Sequence, residues 1–159
     1  MRRHWILALS LTLAAQAEAN EATLISTLAP EIRPAVVEEA VAAMKCAQTR
    51  GIGADAERLA IIDYTIPSRE QRMWVIDIAA GELLFEEHVA HGQGSGHDIP
   101  TAFSDIEGSR QTSLGLFLTD KTYQGGNGYS LKLHGLSMGF NESARRRDIV
   151  MHGATDGHP

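Results

Sequence analysis

At Gly51-Ile52-Gly53 the spacing of apolar residues changes from steps of three and four to short alternating runs. A chain with such a switch places a helical segment before a set of strands. Upstream, Ile32, Val36, Ala40, Ala43 and Ala47 fall on one predicted helix face. Pro34 suits a first helical turn and Gly51 a C-terminal cap, while Pro30 and Pro34 divide a short first helix from a longer second one. Downstream, strands are predicted at 59–62, 73–78, 82–90, 114–119, 129–133 and 148–151. Trp74, Ile76 and Ile78 share one side of the second strand, and Ala79-Ala80-Gly81 turns it back into the third. Gly125-Gly126-Asn127-Gly128 joins two later strands. The expected class is mainly β after an N-terminal helical segment. Residues 91–112 are Gly- and Ser-rich with little periodicity, and loops of that length in a compact domain are usually functional or disordered.

Residues 1–19 read as a cleavable secretory signal. Arg2, Arg3 and His4 give a positive start, a short apolar run follows, and Ala15-Gln16-Ala17 and Ala17-Glu18-Ala19 present small residues for cleavage. Cleavage before Asn20 is expected, with cleavage before Glu18 the alternative. The run falls short of the roughly 20 apolar residues of a spanning helix, so stable membrane insertion after cleavage is not expected. Arg2-Arg3 reads as an ordinary positive region rather than a twin-arginine signal. About 140 residues then remain, enough for one core. The divisions are 1–19 signal, 20–53 helical segment and 54–159 β domain.

The formal net charge is −6, and removing the leader makes it more negative. An acidic domain has no electrostatic footprint for nucleic acid. The one basic cluster, Arg145-Arg146-Arg147, reads as a solvated stretch after a turn. Cys46 is the one cysteine, so an internal disulfide is impossible. Near the apolar face set by Ala43 and Ala47, it reads as a buried, inert small hydrophobe rather than a nucleophile.

Histidine supplies the rest of the candidate chemistry. Val89-Ala90-His91-Gly92 and Ile149-Val150-Met151-His152-Gly153 both end predicted strands in a His-Gly pair. Histidine carries protons near neutral pH, and a following glycine admits close approach, although a single strand-end histidine is more often structural or solvated. His88, His91, His97, His134, His152 and His158 show no strong zinc spacing, so no metal or other cofactor is expected.

More specific is an ordered series of short segments: Ile61-Ile62-Asp63-Tyr64, Pro67-Ser68, Arg72-Met73-Trp74-Val75-Ile76-Asp77, Val89-Ala90-His91-Gly92 and Ser95-Gly96. It continues through Phe103-Ser104, Ser113-Leu114-Gly115, Thr119, Tyr123, Gly128-Tyr129-Ser130-Leu131, Gly135-Leu136, Asn141, Ala144-Arg145 and Ile149 to Ala154. The series resembles the murein L,D-transpeptidase catalytic-domain family, the YkuD-like cysteine enzymes of bacterial cell walls. The likeness implies an exported, envelope or periplasmic protein with an L,D-transpeptidase-like β-sandwich that acts on peptidoglycan stem peptides. In such enzymes a cysteine thiolate attacks the carbonyl at the L-centre of diaminopimelate. The terminal D-alanine leaves, and an amine of a neighbouring stem resolves the thioester.

Carried onto this sequence, the resemblance makes His152 the base, with the Gly153 carbonyl orienting its ring. It makes His91, Gly92, Ser95, Gly96 and Ser113 substrate-binding. The family follows His-Gly with an S-x-G-C segment holding the nucleophile, and this sequence reaches Pro159 before that segment. The expectation is therefore a domain truncated before its catalytic cysteine, incomplete at the C-terminal end of the β-sandwich. Two other readings stay open: a catalytically dead remnant or peptidoglycan-binding module using the loop from His91 to Ser95, and a metal-dependent envelope peptidase.

Overall fold

In a computed structural model, residues 4–153 of the chain are described. Arg2, Arg3, Ala154, His158 and the stretch 156–159, singled out above, lie outside the described residues. Two helices lead the chain, with lengths the reverse of those expected: α1 (His4–Leu28) has 25 residues and α2 (Pro34–Thr49) has 16. The Leu- and Ala-rich stretch 6–19 favours helix and continues to Leu28 without a breaker.

Pro34 stands in the first turn of α2, where a missing N–H loses no partner. The helix ends in a two-bond cap: Ile52 N–H donates to Ala47 O at 3.0 Å, and Gly51 N–H to Gln48 O at 2.9 Å. That closure needs a left-handed residue, and Gly51 supplies it at φ +76°.

The buried stripe of α2 is Val37, Val41, Met44 and Ala47, with Ile32 buried just before it. This corrects the expected face, because Val36, Ala40 and Ala43 are only half-buried. Adjacent apolar pairs, Val36-Val37 and Ala43-Met44, leave the periodicity ambiguous by one residue. The larger Val41 and Met44 decide it, since burying such side chains contributes about 1.5–3 kcal/mol each. The rotation leaves Cys46 exposed, not against the buried stripe.

Six strands form two three-stranded sheets. The first has the order β1 (Arg58–Ile62), β2 (Met73–Asp77), β3 (Glu82–Glu87). Its antiparallel sense follows from bonds at both ends: Ile78 N–H to Glu57 O at 2.8 Å, Asp63 N–H to Arg72 O at 2.9 Å, and Arg72 N–H to Glu87 O at 3.0 Å. The second has the order β4 (Phe117–Gly125), β5 (Gly128–Gly135), β6 (Val150–His152), also antiparallel. The expected glycine turn closes the β4–β5 hairpin, with Gly125 opposite Gly128 and Gly128 at φ +81°. The class is thus mainly β with N-terminal helices.

The described residues form two compact units, residues 4–61 with Trp74–Glu86, and Ile62–Met73 with residues 87–153. In the first, Ile25, Ile32, Val37, Val41, Leu59, Trp74 and Ile76 are buried in an apolar core. In the second, burial is largely polar: Asp63, Arg72, Ser95, Ser113, Ser130, Asn141 and Ser143 are all buried. Large apolar side chains there are often exposed, among them Ile106, Tyr129, Met138 and Phe140.

Buried polar groups persist only when hydrogen-bonded. Fully buried Asn141 donates from Nδ2 to Leu116 O at 2.8 Å and accepts at Oδ1 from Ser137 N–H at 2.8 Å. Two glycines make room for this knot. A Cβ on Gly135 would collide with the Asn141 carbonyl, and one on Gly115 would lie 2.5 Å from Ser137 Oγ. Leu114 and Gly115 therefore precede β4, which starts at Phe117 and not at the expected residue 114.

Arg147 corrects the reading of its basic cluster as solvated. Its side chain is 5% exposed. Nη1 donates to Ser104 O at 2.6 Å and Ser113 Oγ at 2.5 Å, and Nη2 to Ser109 Oγ at 3.1 Å and Gln111 O at 2.6 Å. One planar guanidinium thus pins the 104–113 stretch, a task that suits its fixed fork of donors.

Candidate active site

His152 ends β6 and is held opposite Ser130 of β5. Its side chain is exposed, with Nδ1 2.8 Å from Gly153 O. A carbonyl only accepts, so this contact puts the ring proton on Nδ1 and leaves Nε2 with its lone pair. Asn127 Nδ2, in the β4–β5 turn, approaches Nε2 at 3.4 Å, a long contact that a stronger donor can displace.

The loop from His91 to Ser113 is ordered by hydrogen bonds to its own backbone. Gly92 N–H donates to Thr112 Oγ1 at 2.8 Å, Gly94 N–H to Arg110 O at 2.9 Å, and Thr112 N–H to Ser95 Oγ at 2.8 Å. A short 3-10 turn, Gln93–Ser95, lies between. Gly92 is required by close packing, because a Cβ there would strike the Arg110 carbonyl. Ser95 and Ser113 are buried with their hydroxyls engaged, Ser113 Oγ donating to Ser104 O at 3.1 Å. Gly96 is exposed, at φ +139°.

His91 is half-buried and has its own clamp. Fully buried Arg72 donates from Nε to Val89 O at 2.9 Å, from Nη1 to Ile66 O at 2.9 Å, and from Nη2 to Val89 O at 2.5 Å. Nη2 also meets His91 Nδ1 at 2.9 Å. A guanidinium cannot accept, so His91 Nδ1 accepts and the ring proton sits on Nε2, the opposite tautomer to His152. Arg72 also lies 5.0 Å from the centroid of the Tyr64 ring. Burial raises the Tyr64 pKa against the opposing charge of Arg72, and burial lowers that of Arg72.

Hydrogen bonds therefore gather His91, Gly92, Ser95 and Ser113 into one framework and place His152 and Gly153 on the tip of β6. Among the described residues, no hydrogen bond joins the two groups. A family model described as L,D-transpeptidase catalytic domain matches residues 28–158. The chain belongs to that family. No curated protein and no solved structure matches it.

L,D-transpeptidase family members act on the peptidoglycan of the cell wall, and a mainly β fold after N-terminal helices fits such a domain. Among the described residues no helix is long and apolar enough to cross a membrane, and no three His, Cys, Asp or Glu side chains are grouped to hold a metal. Cys46 lies on α2 in the first unit, and His152 in the second.

Sequence reasoning missed a depression of about 100 Å³ lined by Tyr123, Lys132, Arg145, Asp148, Ile149 and Val150. It missed Asn127 as a neighbour of His152 and Arg72 as the clamp on His91. The depression had one weak signal: Ser130, Lys132 and His134 alternate with Leu131 and Leu133, which puts Lys132 on the same strand face as Ser130.

Proposed function

We propose that this chain is an exported L,D-transpeptidase-type protein handling peptidoglycan stem peptides by cysteine acyl transfer, with His152 as the base. The single observation that carries the reading is the bond from His152 Nδ1 to Gly153 O. It fixes the tautomer in which Nε2 can take a thiol proton, which is what an attacking cysteine needs. The ring is exposed, so a substrate can reach it. Of the residues expected to bind substrate, His91 and Gly96 keep reachable surface. Gly92, Ser95 and Ser113 act on this reading by holding the loop that presents them.

A second reading, stem binding without turnover, is favoured by Cys46, the one cysteine of the sequence, which stands exposed on α2 and not in a serine-x-glycine-cysteine segment. The first test is to read the gene beyond the Pro159 codon for a serine-x-glycine-cysteine segment, express the full reading frame and assay exchange of the terminal D-alanine. Under the enzymatic reading, His152→Gln lowers turnover by about 10²–10⁴-fold while leaving stem-peptide affinity in place. Retained affinity with no turnover in the unmodified full-length protein supports the binding module instead. Inactivation by a chelator, which thiol chemistry does not notice, would point to the metal-dependent peptidase.

A further inference from the structure

The depression on the second sheet carries two charges without ion-pair partners among the described residues. Lys132 Nζ lies 4.9 Å from the centroid of the Tyr123 ring. Among the described residues no carboxylate pairs with it. Among the described residues Asp148, on the same rim, pairs with no cation, and Lys132 and Asp148 do not pair with each other. The remaining charge, Arg145, is bound to Asp120 at 3.1 Å.

The backbone holds this arrangement in place. Asp148 adopts φ +52°, a left-handed conformation uncommon for a residue with a side chain and seen often at binding sites. The Tyr123 ring beneath Lys132 lies against Gly125, where a Cβ would come 2.7 Å from its edge.

Register ties the depression to His152. Tyr123 is opposite Ser130 and Ser130 opposite His152, while Lys132 is opposite Val150. Directly opposed residues share a face, and so do residues two apart along a strand. Lys132 and Val150 therefore share the face of His152, one step of about 7 Å along the strands.

We propose that this depression binds a zwitterionic α-amino-acid head group, its carboxylate received by Lys132 and its ammonium by Asp148. Resting on the reading given under Proposed function, it is a subsite for a stem-peptide end that carries both charges, beside the base that acts on the chain.

The test is a binding titration on the full chain, followed by amide chemical shifts of 130–132 and 148–152. Three probes are used: Nε-acetyl-lysine, which keeps both α-charges, its α-amide, and its Nα-acetyl derivative. The first is expected to bind at least about tenfold more tightly than either of the others. Lys132→Gln should abolish the preference over the amide, and Asp148→Asn, which tolerates the left-handed backbone, the preference over the Nα-acetyl form. Thermal melts of both variants confirm that they fold. Equal binding of the three probes, no binding, or preferences unchanged in the folded variants overturns the inference. The titration needs no turnover, so D-alanine exchange without probe discrimination sinks this inference alone. Discrimination without exchange sinks only the enzymatic reading.

Discussion

Arg72 and His91 meet through Nη2 and Nδ1 at 2.9 Å, with the arginine as the only possible donor. The same guanidinium satisfies the Ile66 and Val89 carbonyls from a fully buried position. Arg72→Met therefore strands two half-buried carbonyl acceptors as well as releasing the imidazole, and should destabilise the protein by about 3 kcal/mol in denaturant titration. Arg72→Lys keeps a charge but loses the fork, and should fall between. Nitrogen chemical shifts of His91 should report a protonated Nε2 in the native protein and a mixture of tautomers in Arg72→Lys.

Arg147 and Arg145 separate a buried tether from a surface ion pair. Replacing Arg147 with alanine removes four hydrogen bonds to residues 104–113, and should cost about 2–4 kcal/mol and open that loop to protease. Arg145 is 45% exposed against Asp120, and Arg145→Ala should change stability by no more than about 1 kcal/mol.

These two arginines also show where sequence reasoning runs out. Strand β2 was legible because Trp74 and Ile76 alternate, and the end of α2 because Gly51 follows a helical run. His152 entered as a candidate through the segment it shares with a family, and the structure adds its bond to Gly153 O. The burial of Arg147 was not, because its partners lie 34 to 43 positions away, and local pattern sees only a triplet of cations. The α2 face was misread for a related reason: two apolar neighbours competed for one stripe, and packing chose. The depression beside Lys132 needed strand register, which alternation alone does not supply.

Gly135 tests whether the Asn141 knot is as tight as its geometry implies. Gly135→Ala would drive a methyl group into the Asn141 carbonyl and should cost more than about 3 kcal/mol, the range of overpacking and broken buried networks. Gly126→Ala, with nothing within 4 Å, should leave the melting temperature within about a degree or two. Equal effects of the two would remove the packing argument.

Acid stability should depend on Asp120. The backbone N–H of Lys121, then the hydrogen bond from His134, hold its carboxyl below the ordinary value of 3.8. A carboxylate with a lowered folded pKa contributes stability above its unfolded value and loses it as pH falls through the folded one. Asp120→Asn should therefore flatten the stability profile below about pH 4. An acid limb of the same slope in the variant would show that other carboxylates govern it.

The proposed export signal makes a demand on α1 that can be checked directly. Cleavage before Asn20 would cut within α1 (His4–Leu28) and leave its last nine positions attached to the mature chain. The described anchors of α1 and of the turn after it all lie beyond the cut: Glu21 bonded to Lys45 at 2.5 Å, and the fully buried Ile25 and Ala29. A signal can be removed without loss only if the residues that hold the helix survive its removal. Expressed with its leader in a bacterial host, the secreted protein should begin at Asn20 by N-terminal sequencing, with Glu18 the next site. Its melting temperature should match that of the uncleaved chain, whereas Ile25→Ala should lower stability by about 2–5 kcal/mol in both forms. A secreted chain that retains Met1, or a large loss of stability on cleavage, would remove the export reading of the leader.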